Sequence, residues 1–250
     1  MSERFFSTQP ITSDRATLDG AESHHLLHVM RLKTGDSVTL FDGSGAEFVA
    51  VVETLGRSDV GLRIIERHEV DRELPFPLAF GVALPKGDRQ KWLVEKLTEL
   101  GATLLVPLET ERGIAQPTAS ALERLRRSVI EAAKQCGRNR RMQIAEPQAW
   151  HEWLSNKSIA GDPRSPGYPG SNESEPPARR YVAHPGGVPL TQIDLATFVP
   201  TRIAIGPEGG LTHAEAAAAI AAGWQPVDLG PRILRVETAA VALAAATSLR

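Results

Sequence analysis

The chain has 250 residues, with 28 Lys and Arg against 30 Asp and Glu and 42% hydrophobic content, the balance of an ordinary globular protein. These values exclude a disordered, collagenous or wholly coiled-coil chain, and a lone cysteine, Cys136, excludes a disulfide scaffold. No apolar run reaches the length of a membrane span or a signal peptide, and a single thiol fits a reducing compartment, so a cytoplasmic location is expected.

Charge is unevenly spread. Between Arg112 and Arg141 the basic residues Arg112, Arg124, Arg126, Arg127, Lys134, Arg138, Arg140 and Arg141 face only Glu123 and Glu131. A basic patch on an acidic body suits a protein that meets a polyanion at one place. The alternative is a solvated helix face.

In chain order, His24 to Leu32 puts Leu26, Leu27, Val29 and Met30 on one apolar face and predicts a short helix. Strands are predicted over 37–41, 47–52 and 60–65, separated by Gly-, Asp- and Ser-rich turns. Residues 1–72 therefore read as a small antiparallel barrel with one helix. His24, His25 and His28 lack a nearby carboxylate or cysteine set, so no metal is implied.

From residue 73 the rhythm becomes strand then helix, as in an α/β domain over 73–250. Leu78 to Leu84 reads as a buried strand. The next helix opens at Asp88, carries Trp92, Leu93, Leu97 and Leu100 on one side, and stops at Gly101. A strand is predicted over 103–107. The helix over about 120–136 puts Leu122, Leu125, Val129, Ala132 and Cys136 on one stripe, with Arg124, Arg127, Glu131, Lys134 and Arg138 almost opposite. The segment 161–178, rich in Pro, Gly and Ser, is expected to be a mobile surface loop. Arg180 to His184 reads as a strand ending in Pro185-Gly186-Gly187.

The chemistry concentrates in the last third. Thr201 to Ile205 reads as a strand running into Gly206-Pro207-Glu208-Gly209-Gly210, after which Thr212 and Glu215 form an S/T-x-x-E capping box that opens a helix. A further turn, Leu229-Gly230-Pro231-Arg232-Ile233-Leu234-Arg235-Val236-Glu237-Thr238-Ala239, leads into an alanine-rich terminal helix. Three glycine turns at strand ends leave backbone groups open to a ligand. The dinucleotide, P-loop, nucleophile-elbow and zinc-protease signatures are absent.

The 206–210 and 229–239 motifs closely resemble the C-terminal signature of the bacterial 16S ribosomal RNA (uracil-N3) methyltransferases, members of the SPOUT superfamily. Lys86, Glu95 to Gly101, Thr110-Glu111-Arg112, Glu131 to Arg138 and His24 to Arg31 resemble further blocks of that family, so the likeness covers nearly the whole chain. Only 161–178 departs from it, as an insertion. The resemblance implies an N-terminal PUA-like barrel that binds RNA, a C-terminal α/β domain with a deep trefoil knot, and a homodimer. It further implies S-adenosylmethionine (SAM), held largely by backbone, as methyl donor to N3 of a 16S rRNA uridine, with no metal.

On that reading Arg235 stabilises or orients the anionic base, with an ion pair to Glu208 or Glu237 as its structural alternative. Glu208 accepts a proton or a cofactor hydroxyl, or else merely complements a helix N-terminus. The expected cofactor pocket comprises His184, Gly186, Ile205, Gly206, Pro207, Gly209, Leu229, Gly230, Ile233 and Leu234; the bland reading of these is strand and turn packing. Arg4, Arg31, Lys86, Arg112 and Arg138 are expected at the RNA, each with a solvated charge as the alternative. Cys136 is expected to be a small core residue. Two rival classes are a SPOUT enzyme with another target, such as a tRNA 2′-O-ribose, and a non-enzymatic ribosome-assembly protein that binds RNA.

Overall fold

A computed structural model describes residues 3–156, 178–193 and 198–249. The segment expected as a loop, 161–178, lies outside the described residues apart from Ala178. The chain divides into two compact units, 1–73 with 133–141, and 74–132 with 142–250.

The first unit contains β1 (Arg4–Phe6), β2 (Arg15–Leu18), α1 (Gly20–His24), β3 (Ser37–Phe41), β4 (Ala46–Leu55) and β5 (Val60–Glu69). Its sheet runs β1-β3-β4-β5-β2, antiparallel except where β1 lies parallel to β3. Strand β4 shows why the sheet forms here: Ala46, Phe48, Ala50 and Val52 are buried while the residues between them are not, the period-two pattern of a half-buried strand. With Phe5, Leu18, Leu26, Val38, Leu40, Val60 and Leu62 they make one apolar core. Strands β1 and β2 span three and four residues, too short for an alternation that sequence could reveal. The helix expected over 24–32 begins earlier, at Gly20, and widens into a π-helical turn over His25–Met30. Arg31 ends it in the left-handed region at φ 56°.

Segment 133–141 corrects the expected basic stripe. Lys134 donates to both oxygens of Glu22 at 3.1 and 3.2 Å, and the Arg138 guanidinium pairs with Glu73. Both cations are buried, because a carboxylate of the same unit meets each of them. Arg4 pairs with Glu47 at 2.9 Å and donates to Asn139 at 2.6 Å. His25 packs on Phe5, and His24 on His28, at ring separations of 5.7 and 4.8 Å.

The second unit contains β6 (Leu78–Val82), α2 (Arg89–Glu99), β7 (Leu104–Glu109), most of α3 (Ala119–Cys136), β8 (Gln143–Ile144), β9 (Gln148–Ala149), α4 (Trp150–Ser155), β10 (Arg179–Pro189), β11 (Thr201–Ile205), α5 (His213–Ala221), β12 (Gln225–Asp228) and α6 (Val236–Ser248). All its described strand pairs are parallel, in the order β12-β10-β11-β6-β7-β8, with β9 beside β7. Every residue of β6 and β11 is buried, as befits central strands covered on both faces. Leu78, Phe80, Val82, Ile203 and Ile205 enter one core with Leu93, Leu97, Leu122 and Leu243, while Ala79 and Ala204 enter a second with Trp150, Trp153 and Trp224. The alternation along each strand separates the two cores onto opposite faces. Leu93 is fully buried, so Leu93→Ala would cost about 2–5 kcal/mol.

Two expectations about helices change. Helix α2 buries Leu93, Val94, Leu97 and Thr98, whereas Trp92 turns off that face and is 43% exposed. Helix α3 does bury Leu122, Leu125, Val129 and Ala132, but Cys136, in its last turn, is only half-buried. Among the described residues no helix is long and apolar enough to cross a membrane.

Candidate active site

Parallel β10, β11 and β12 bring their carboxyl ends to one edge of the sheet, where ligands of open α/β sheets usually bind. A cleft of about 500 Å³ opens there. Ala183, His184 and Pro185 line it from β10, and residues 205–208, Gly210 and Leu211 from the end of β11 and its loop. Residues 227–234 contribute from the end of β12 and the following turn, with Val236 and Ala239 from α6.

Each wall follows from local chemistry. Strand β10 does not end at His184 as expected; it resumes at Val188, and both Ala183 and Val188 pair with Val227, so 184–187 bulges out. Gly186 and Gly230 sit at φ 78° and 103°, a region costly for residues bearing a Cβ, although open space surrounds both. Their N–H groups donate to opposite oxygens of Asp228, at 3.0 Å from Gly186 and 2.8 Å from Gly230. Those two backbone bonds, Gly230's foremost, hold the Asp228 carboxyl below the usual carboxylate range.

After β11 the chain passes Gly206, where a Cβ would stand 2.8 Å from Leu211 Cγ, so the loop closes tightly on itself. The capping box forms as expected: Thr212 Oγ1 accepts from the Glu215 amide at 3.2 Å, and Glu215 accepts from the Thr212 amide at 2.8 Å. The other Glu215 oxygen accepts from the Glu111 amide at 2.8 Å, and Arg112 donates to the Gly209 carbonyl at 3.0 Å. The turn after β7 is thereby fastened to the glycine loop.

Of the expected pocket residues, His184, Ile205, Gly206, Pro207, Leu229, Gly230, Ile233 and Leu234 line the cleft, and so does Glu208; Gly186, Gly209 and Arg235 do not. Ile233 is 97% exposed, which removes packing as its role. Arg235 occupies the position just before α6, makes no side-chain capping bond, and is exposed and without a side-chain partner among the described residues. Its alternative role belongs to Arg89, at the start of α2, which stands 3.2 Å from Glu208 and 3.7 Å from buried Glu237. Sequence reading missed Arg89, which no local pattern marks. It also missed Asp228, although an Asp two residues before a Gly is a turn signal.

Of the residues expected at the RNA, Arg31, Lys86 and Arg112 are exposed. Arg4 and Arg138 are instead engaged with Glu47 and Glu73, and Arg138 is only 3% exposed.

Comparison with known proteins agrees with this architecture. Residues 72–248 match the family model of the RNA methyltransferase domain, and residues 18–65 match that of the RNA methyltransferase PUA domain. The chain is 36% identical to a ribosomal RNA small subunit methyltransferase E of Synechocystis, over 96% of this chain and 75% of that one. It is 30% identical to the protein of the same name from Bacillus subtilis, over 89% and 85%. Among solved structures, a methyltransferase of Legionella pneumophila holding SAM superposes with a TM-score of 0.85 at 26% identity, covering 100% of this chain and 98% of that one. A ribosomal RNA small subunit methyltransferase E of Neisseria gonorrhoeae, bound to SAM, gives 0.82 at 29% identity with the same coverage. With an N-terminal PUA domain and a parallel-sheet α/β domain that carries the cleft, the chain belongs to the RNA methyltransferase family.

Proposed function

We propose that this chain uses SAM to methylate N3 of a uridine in the 16S rRNA of the small ribosomal subunit. The observation that carries the reading is the cleft at the ends of β10, β11 and β12, in a chain whose relatives bear that subunit in their names and whose structural neighbours hold SAM. The cleft suits an adenosyl group. Its volume lies in the small-molecule range, Ile205, Leu229 and Leu234 offer apolar surface, and the glycine turns leave main-chain groups open to the edges of a base and a ribose. His184, Gly206, Pro207, Leu229, Gly230, Ile233 and Leu234 would hold the cofactor, with Gly186 and Gly209 shaping the loops behind them.

When bound, the cofactor supplies an electrophilic methyl group on a sulfonium. The chain's own task is to present an unstacked uracil whose N3 has lost its proton, since N3 lies on the pairing edge and is a poor nucleophile while protonated. Arg235 is suited to meet the developing negative charge, being uncommitted and placed at the positive end of α6. Glu208, at the cleft and paired with Arg89, is the carboxylate available to accept a proton or a hydroxyl hydrogen bond. For RNA contact the reading retains Arg31, Lys86 and Arg112. It also includes a functional division at residue 72, a trefoil knot in the C-terminal domain, a homodimer and a cytoplasmic location.

The test is methyl transfer from labelled SAM to small-subunit particles that lack the modification, with the product nucleoside identified and Arg235→Ala run in parallel. N3-methyluridine made by the wild type and lost in the variant is expected. Cofactor binding without a uridine product, on particles and on naked rRNA alike, would overturn the assigned target.

A further inference from the structure

We propose that Asp228 is a positioning residue that ties the 184–187 bulge of β10 to the turn after β12, and so sets how tightly the cleft holds an adenosyl cofactor. The assignment rests on the SAM reading above. Its basis is geometric. Pairing between β10 and β12 lapses between Ala183 and Val188, the stretch that presents His184 and Pro185 to the cleft. Where the ladder lapses, the Gly186 amide turns to Asp228 Oδ2 at 3.0 Å. The other oxygen takes the Gly230 amide at 2.8 Å and shapes the turn that presents Leu229 and Gly230. One carboxylate thus fastens two of the three cleft walls, with a charge-assisted bond to each.

Asp228→Ala removes both bonds. Asp228→Asn keeps the shape, yet an amide has one accepting oxygen; its NH2 must then confront one of the two backbone N–H groups, donor against donor. Asparagine therefore holds one loop and releases the other, and rescues little.

SAM binding is measured by calorimetry for the wild type, Asp228→Ala and Asp228→Asn, alongside thermal unfolding, amide exchange and methyl-transfer kinetics. Asp228→Asn is expected to bind SAM about tenfold more weakly, the order of one lost charge-assisted bond, and Asp228→Ala, which loses both, at least as weakly. KM for SAM should rise by about the same factor while kcat at saturation stays within about twofold, the signature of lost ground-state binding. Exchange should quicken at 184–187 and not in the core strands. Variants that bind SAM like the wild type sink the assignment alone. So does a general loss of exchange protection in both, which would make the residue an ordinary stability element. A wild-type chain that takes up no SAM overturns the cofactor reading, and this assignment with it.

Discussion

The Arg202 guanidinium lies 3.9 Å from the centre of the Trp153 ring and donates from Nη2 to that residue's own carbonyl at 2.8 Å. Trp224 stands on it at 5.5 Å, no carboxylate pairs with it among the described residues, and its Nε and Nη1 lack partners. An arginine fully buried in central β11 is thus held by two indoles. Burial, and secondarily the charge of Arg180, lower its pKa to about 10.

That lowering fixes the sign of the pH effect. Above about pH 10 the unfolded chain holds the proton that folded Arg202 has released, so stability rises with pH through that window. At neutral pH the buried charge is a cost. Arg202→Met is expected to match the wild type within about 1 kcal/mol or exceed it. Arg202→Lys should lose about 2 kcal/mol or more, because an ammonium is more strongly hydrated and cannot stack. Urea unfolding at pH 7 and pH 10.5 checks both: the advantage of the Met variant should shrink at the higher pH. A Met variant less stable than the Lys variant would mean that the charge is net stabilising.

Arg138 and Lys86 should separate cleanly. Arg138→Ala strands buried Glu73, so a loss of about 3 kcal/mol in unfolding free energy is expected, with no change in the salt dependence of RNA binding. Lys86 is exposed and unpaired among the described residues. Lys86→Ala should leave the melting temperature in place and lower the slope of log K against log salt by about one phosphate contact. Melting curves and filter binding at several salt concentrations on 16S rRNA read the two effects; the reverse pattern would exchange their roles.

Arg89 bridges Glu208 and Glu237 from a third element. Glu237 Oε2 is buried without a hydrogen-bond partner, so the guanidinium 3.7 Å away is what compensates it. Arg89→Ala is expected to cost about 1–2 kcal/mol, discounted for the partly exposed arginine, and Glu237→Gln in that background should recover most of it. A double-mutant cycle measures the coupling; purely additive losses would show that the pair does not interact.

The sequence by itself determined the local order of both units. Alternation marked β4, central β6 read as a continuous apolar run, the capping box placed the start of α5, and the glycine turns marked the strand ends where the cleft opens. Each of these signals lies within a few residues of chain, where backbone preference and hydrophobic period act directly. Tertiary structure alone decided which charges meet. Lys134 and Arg138 occupy the polar stripe of a helical pattern, yet Glu22 and Glu73 draw them inward, and Arg202 is buried in a strand whose other residues are almost all apolar. Arg89, remote in sequence from its partners, makes the ion pairs that were the structural alternative for Arg235. Charge pairing depends on distances between segments far apart in the chain, and no local period encodes those distances.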